Sequence, residues 1–153
     1  MKIIDLLDPR CILPELKAGN KKGVLEELAQ TLVAVHSGLS LPSVLEVLLD
    51  RERLGSTGIG DNVAIPHGKL AQLDRLALAF GRSLKGVEFE SMDGKPSHLF
   101  FMLLAPENSA GLHLKALAKI SRMLMSQPFR QDLMLAPGEK EILRLIAARD
   151  TEF

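Results

Sequence analysis

Tryptophan and tyrosine are absent from this 153-residue chain, and cysteine occurs once, at Cys11. A lone cysteine excludes an intramolecular disulfide and any cysteine-based zinc site, and it suits a reducing compartment. Six phenylalanines are the only aromatics beside four histidines, so stacking platforms for bases are scarce. Neither sign of charge is in excess: 19 Lys and Arg balance 19 Asp and Glu. A neutral chain lacks the basic surface that general nucleic-acid binding needs, so no nucleic-acid partner is expected. No apolar run approaches the roughly 20 residues of a membrane helix, which predicts no membrane insertion. The opening MKIIDLLDPR carries acids inside its apolar stretch and is not a signal peptide, so a cytoplasmic location is expected. There is no repeat, low-complexity tract or linker, and the length suits one domain over 1–153.

What is present reads as strands alternating with helices. Cys11–Leu16, broken by Pro14, suits an edge strand. Asn20 offers an N-cap to a helix running to about His36, with Leu25, Leu28, Leu32 and Val35 on one face and Gly38 after its end. A second helix opens near Pro42 and puts Val44, Val47, Leu48 and Arg51 on one face, with Glu46, Asp50 and Arg53 opposite. Leu76–Phe80 reads as a buried strand, Val87–Phe89 as a short one and Asp93-Gly94 as a turn. The run Leu99–Leu104, LFFMLL, bounded by Ser97 and Pro106, reads as a strand covered on both faces. The neighbourhood of Ser109 caps a helix to about Ser126, and two shorter helices open at Pro128 and near Pro137. The pattern predicts an α/β domain built on one central sheet.

The densest signal lies between the second helix and the first buried strand, in Arg51–Lys69, RERLGSTGIGDNVAIPHGK. Pro66 restrains the backbone before His67, and Gly68 frees it afterwards. That placement points to a histidine used as a nucleophile; the alternative is a histidine in a surface turn with no role. Arg51 continues an apolar stripe, and an arginine there needs an anion or a carboxylate, or a structural ion pair. In the long helix, His113, Leu117, Ile120 and Leu124 share one face, and Lys115, Lys119 and Arg122 the other. His113 thus faces the sheet from the first helical turn, where free N–H groups and the helix dipole favour anions. The alternative is a core histidine hydrogen-bonded to a carbonyl. His36, near a helix C-terminus, and His98, in the approach to a strand, are poorer candidates. Clustered metal ligands, a P-loop and a GxSxG elbow are all missing.

The run RERLGSTGIGDNVAIPHG resembles the phosphohistidine motif of the IIA domains of the fructose–mannitol class of the phosphoenolpyruvate-dependent phosphotransferase system. The stretch His113-Leu114, with Leu117 and Arg122 following, is similar to that family's second histidine motif, and the likeness covers nearly the whole chain. The resemblance implies a mixed central sheet flanked by helices. It implies that His67 accepts a phosphoryl group from the phosphocarrier HPr or its nitrogen-branch counterpart. His113 would hydrogen-bond the phosphorylated histidine or its phosphoryl group, Arg51 would contact that group, and Ser56 and Thr57 match the hydroxyl pair, Thr57 being the preferred contact of the two. Gly68 belongs to the same phosphoryl-binding motif. Arg51, His113 and backbone N–H groups would supply the electrostatic stabilisation with no cofactor or metal. Exposed Leu or Ile beside the glycine loop would dock the carrier. The family commonly has glycine where this chain has Asn62, and asparagine is the next best residue in a left-handed turn. STGIG before AIPHGK looks most like the nitrogen-regulatory branch, whose phosphorylation state acts through regulatory target proteins. The alternatives are a sugar-specific IIA that serves a IIB partner, and an interaction module without transfer.

Overall fold

The computed structural model describes residues 1–152. A 3₁₀ turn, Ile3–Leu6, leads into β1 (Leu7–Leu13), followed by α1 (Lys21–Val35) and α2 (Leu41–Arg53). Three short strands follow, β2 (Gly58–Gly60), β3 (Val63–Ala64) and β4 (His67–Leu70). The long strands β5 (Ala77–Val87) and β6 (Ser97–Pro106) precede α3 (Ala110–Met123), α4 (Gln127–Leu135) and α5 (Glu139–Asp150).

One six-stranded mixed sheet organises the chain, in the order β1-β5-β6-β3-β2, with β4 also paired to β6. β5 and β6 run antiparallel, while β1 is parallel to β5 and both β3 and β4 are parallel to β6. β3 and β4 follow one another along β6, Val63 opposite Leu99 and His67 opposite Leu103. The expected IIA architecture, a mixed sheet flanked by helices, is therefore the observed one.

Local chemistry sets the helix ends. Asn20 Oδ1 accepts from Gly23 N at 2.8 Å at the start of α1, and Ser40 does the same for Ser43 N at α2. Such a cap contributes about 1 kcal/mol. Gly38 takes φ +91° just beyond α1, a region costly to other residues. Ser109 occupies the N-cap of α3 but makes no side-chain cap; its hydroxyl donates to Pro106 O at 2.7 Å.

β6 is buried along nearly its whole length, so both sheet faces are covered. α1 and α2 pack on each other and on β5 and β4; α3 and α4 pack on β6, and α5 on β1 and the 3₁₀ turn. Among the described residues no helix is long and apolar enough to cross a membrane.

Four readings of the sequence change. The edge strand begins at Leu7 and ends at Leu13 rather than spanning 11–16. Its edge position accommodates Pro9, which has no N–H to give a neighbour. Val87 closes β5 instead of opening a separate strand. The polar stretch after Phe80 stays in the sheet because Arg82 is buried and donates to the carbonyls of Pro14, Leu133 and Ala136, at 2.7–2.9 Å. It thereby caps the C-terminus of α4. Lys119 is not on a solvated face. It is buried between α3, α5 and the N-terminus, where its Nζ lies 2.7 Å from Asp150 Oδ1 and donates to Met1 O at 2.8 Å. Finally, His67 lies not in a surface turn, the alternative weighed for it, but at the first position of β4.

Candidate active site

The site forms where β4, α3 and the end of α2 meet. Pairing with β6 holds His67 from both sides: Leu103 N donates to Pro66 O at 2.9 Å, and His67 lies in register with Leu103. The next residue must be glycine for packing reasons. A Cβ on Gly68 would sit 2.4 Å from Val47 Cγ1, so α2 can lie on β4 only over a bare backbone. The β2–β3 turn carries both Asp61 and Asn62 at positive φ, 54° and 61°. That is the conformation of a tight I′ hairpin turn, and asparagine tolerates it, so the turn survives without glycine at 62.

His67 is half-buried, and its Nδ1 lies 2.8 Å from Ile65 O. A carbonyl oxygen only accepts, so this bond places the imidazole proton on Nδ1 and leaves the lone pair on Nε2. His113 is buried in the first turns of α3, and its ring meets the His67 ring edge to face, centroids 5.4 Å apart and planes at 74°. His113 Nε2 is buried and has no hydrogen-bond partner in the fold. A buried polar atom left unpaired costs stability and marks a position kept for another purpose. The core-histidine alternative required a carbonyl partner for this ring.

Both imidazole pKa values are lowered. Burial lowers the His67 pKa, the Ile65 hydrogen bond opposes that, and the nearby Arg51 charge adds to the lowering. Burial, with the charges of His67 and Lys69 adding to it, pushes His113 down to about 4. The consequence for stability has a definite sign. The unfolded chain protonates His113 around the ordinary value of 6.5, whereas the folded chain resists until far lower pH. The stabilising contribution is therefore complete above that ordinary value and lost as pH falls from it towards 4. Between about pH 7 and about pH 5 the wild type should lose about 2 kcal/mol more than His113→Gln in urea titrations. Parallel losses in the two chains would refute the assignment.

Arg51, in the last turn of α2, is half-buried and donates to Gly55 O at 2.9 Å; among the described residues it has no ion pair. Arg53 is exposed and pairs with Asp50, as its helical face predicts. The hydroxyls of Ser56 and Thr57 are already engaged. Ser56 donates to Phe89 O at 2.6 Å, and Thr57, which is buried, donates to Glu52. The fold thus brings His67, His113 and Arg51 together, while His36 caps α1 and His98 opens β6, away from them. Glu52 is the residue that sequence reasoning passed over. Its signal was present: Val44, Leu48 and Glu52 recur at four-residue spacing, which puts the carboxylate on the buried stripe. Around the site Leu54, Ile59, Leu112 and Leu114 expose their side chains, Leu54 at 84%.

Residues 5–149 match the family model described as "Phosphoenolpyruvate-dependent sugar phosphotransferase system, EIIA 2". The chain belongs to this family. It is 46% identical over 147 residues to a nitrogen regulatory protein of Bradyrhizobium diazoefficiens, covering 96% of this chain and 95% of that one. It is 39% identical to a fructose-specific EIIABC component of Bacillus subtilis, covering 98% of this chain but 24% of that larger protein. Among solved structures, the nitrogen regulatory protein IIA-Ntr of Neisseria meningitidis superposes with a TM-score of 0.89 at 38% identity, over 94% of this chain and 98% of that one. As an EIIA-family member the chain is a component of a phosphoryl-transfer system, and the likeness to the nitrogen-regulatory branch extends over both sequence and fold.

Proposed function

We propose that this EIIA domain accepts a phosphoryl group on His67 Nε2 from a phosphocarrier protein, HPr or its nitrogen-branch counterpart, and acts as a regulator through its phosphorylation state. The observation that carries the reading is the His67–His113 edge contact, with His67 Nδ1 tied to Ile65 O so that Nε2 is the nucleophile. As the Nε2–P bond forms in line, the donor's N–P bond breaks and its electron pair returns to the donor imidazole. The proton on Nδ1 stays where it is, and the Ile65 carbonyl stabilises the positive charge that builds up on the ring. Arg51 and the Nε2–H of His113 stabilise the phosphoryl oxygens, the latter finding the partner it lacks in the resting fold.

Ser56, Thr57 and Gly68 enter this reading with altered parts. Each hydroxyl has one hydrogen, and both are given to protein acceptors. Thr57 meets the phosphoryl group with that hydrogen only by releasing Glu52. Gly68 serves by letting α2 close over β4. Leu54, Ile59, Leu112 and Leu114 form the apolar surface on which the carrier docks, and the exchange takes place in the cytoplasm. The neutral imidazole is the reactive form, so acid slows transfer.

A second reading is sugar-specific, with a IIB partner as acceptor; the 39% identity to the fructose-specific EIIABC component favours it. Incubation with phosphoenolpyruvate, Enzyme I and each phosphocarrier, followed by intact-mass spectrometry at neutral or alkaline pH, tests both. One acid-labile phosphoryl group per chain is expected, acquired faster from the nitrogen-branch carrier. Preference for HPr would favour the sugar-specific reading, and no uptake from either carrier would leave an interaction module without transfer.

A further inference from the structure

α1 begins with two lysines, Lys21 and Lys22, at the end of a helix where the dipole disfavours cations. Lys22 is exposed, but Lys21 is drawn inward. Its Nζ lies 2.9 Å from Glu52 Oε1 and 3.1 Å from Glu90 Oε1, and 4.7 Å above the centre of the Phe89 ring. Glu90 adopts φ +56°, a conformation that a side chain of this kind rarely takes without support from its surroundings. The Glu52 side chain is 6% exposed. Its two oxygens both serve Thr57: Oε1 accepts the backbone N–H at 3.1 Å, and Oε2 accepts the hydroxyl.

The chain of contacts continues to the nucleophile. Thr57 O accepts from Ile65 N at 3.0 Å, and Ile65 O accepts from His67 Nδ1 at 2.8 Å. Lys21, Glu52, Thr57, Ile65 and His67 are thus joined residue to residue by hydrogen bonds. A carboxylate clamped by a lysine sits at one end, and the reacting imidazole at the other. The series passes through the Cα atoms of Thr57 and Ile65, and the carboxylate, holding Thr57 at both its N–H and its hydroxyl, positions the residue whose carbonyl accepts from Ile65. Through the Ile65 N–H it holds the residue whose carbonyl, in the next peptide unit, selects the tautomer of His67.

We propose that Glu52, anchored by Lys21, is a positioning residue for phosphoryl transfer, holding His67 in the tautomer that exposes Nε2. The proposal rests on the phosphoryl-transfer reading for its effect on rate, but its structural core does not. Its negative charge also opposes the lowering of the His67 pKa, so removing it makes the ring harder to protonate.

The test uses the whole chain labelled with nitrogen-15, with long-range proton–nitrogen spectra of the imidazole rings. In the wild type His67 should show one neutral tautomer, protonated on Nδ1. In Glu52→Ala it should show exchange between both tautomers, and phosphate uptake should slow about tenfold or more, as a misoriented nucleophile does. A Glu52→Ala chain whose His67 keeps the single wild-type tautomer overturns the proposal. Should that variant not fold, Lys21→Met decides: it leaves the carboxylate in place but frees it. Mixed tautomers there support the proposal, and a wild-type spectrum overturns it. A wild-type chain that takes no phosphate would sink the transfer reading alone, because the tautomer measurement needs no phosphate.

Discussion

His67→Ala is expected to abolish the acid-labile phosphate altogether while the chain stays folded. The loss is complete because the proposed reaction uses the Nε2 lone pair, and alanine offers no substitute. The structural cost is small. The side chain is half-buried, and it contributes one hydrogen bond, to Ile65 O, and one ring contact, to His113. Losing a hydrogen bond of that kind costs about 1 kcal/mol. Backbone pairing of β4 with β6 does not involve the side chain. Intact mass after incubation with the phosphocarriers, read beside the circular dichroism of the same sample, checks both halves. Normal labelling of a folded His67→Ala chain would place the phosphoryl group elsewhere and remove the central claim.

Asp150→Ala should be strongly destabilising although it is remote from the site. Asp150 accepts from Ile4 N at 3.1 Å and lies 2.7 Å from Lys119 Nζ, with both side chains almost fully buried, at 0% and 7% exposure. Removing the carboxylate leaves an ammonium group inside the protein with only the Met1 carbonyl for company. An uncompensated buried charge of this kind costs about 3–5 kcal/mol. The double variant Lys119→Met, Asp150→Leu should recover most of that loss, since a buried ion pair can be exchanged for apolar side chains at little net cost. Urea unfolding of the three chains provides the comparison. An Asp150→Ala loss below about 1 kcal/mol would mean that water reaches Lys119. Because α3 also carries His113, the double variant should retain phosphate uptake if the tie is structural alone.

The two substitutions differ in how far the linear chain announces them. His67 is flanked by Pro66 and Gly68, and its motif is continuous over Arg51–Lys69, so the proposed nucleophile is visible in the linear chain. The caps at Asn20 and Ser40, the buried run of β6 and the turn at Asp61-Asn62 follow from neighbours within a few residues. Helical spacing sorted Lys119 with Lys115 and Arg122, on the face opposite His113. Its actual surroundings, Met1 and Asp150, are 118 and 31 positions away, beyond any helical period. Glu52 was nearer to legibility, since four-residue spacing from Leu48 marks it as inward. Its partners Lys21 and Glu90 come from a helix and a loop that only the tertiary fold brings together.

By itself the sequence determined the family and the alternation of strands and helices, and it singled out the two histidines and one arginine of the candidate site. Those follow from short-range patterns: periodicity, capping and a contiguous motif. The tertiary structure decided the chemistry of those residues. It set the His67 tautomer through the Ile65 carbonyl and left His113 Nε2 unpaired. Through burial it also lowered both imidazole pKa values. A proton's position and a group's desolvation depend on which atoms lie within a few ångströms, and those atoms come from residues that chain order does not bring together.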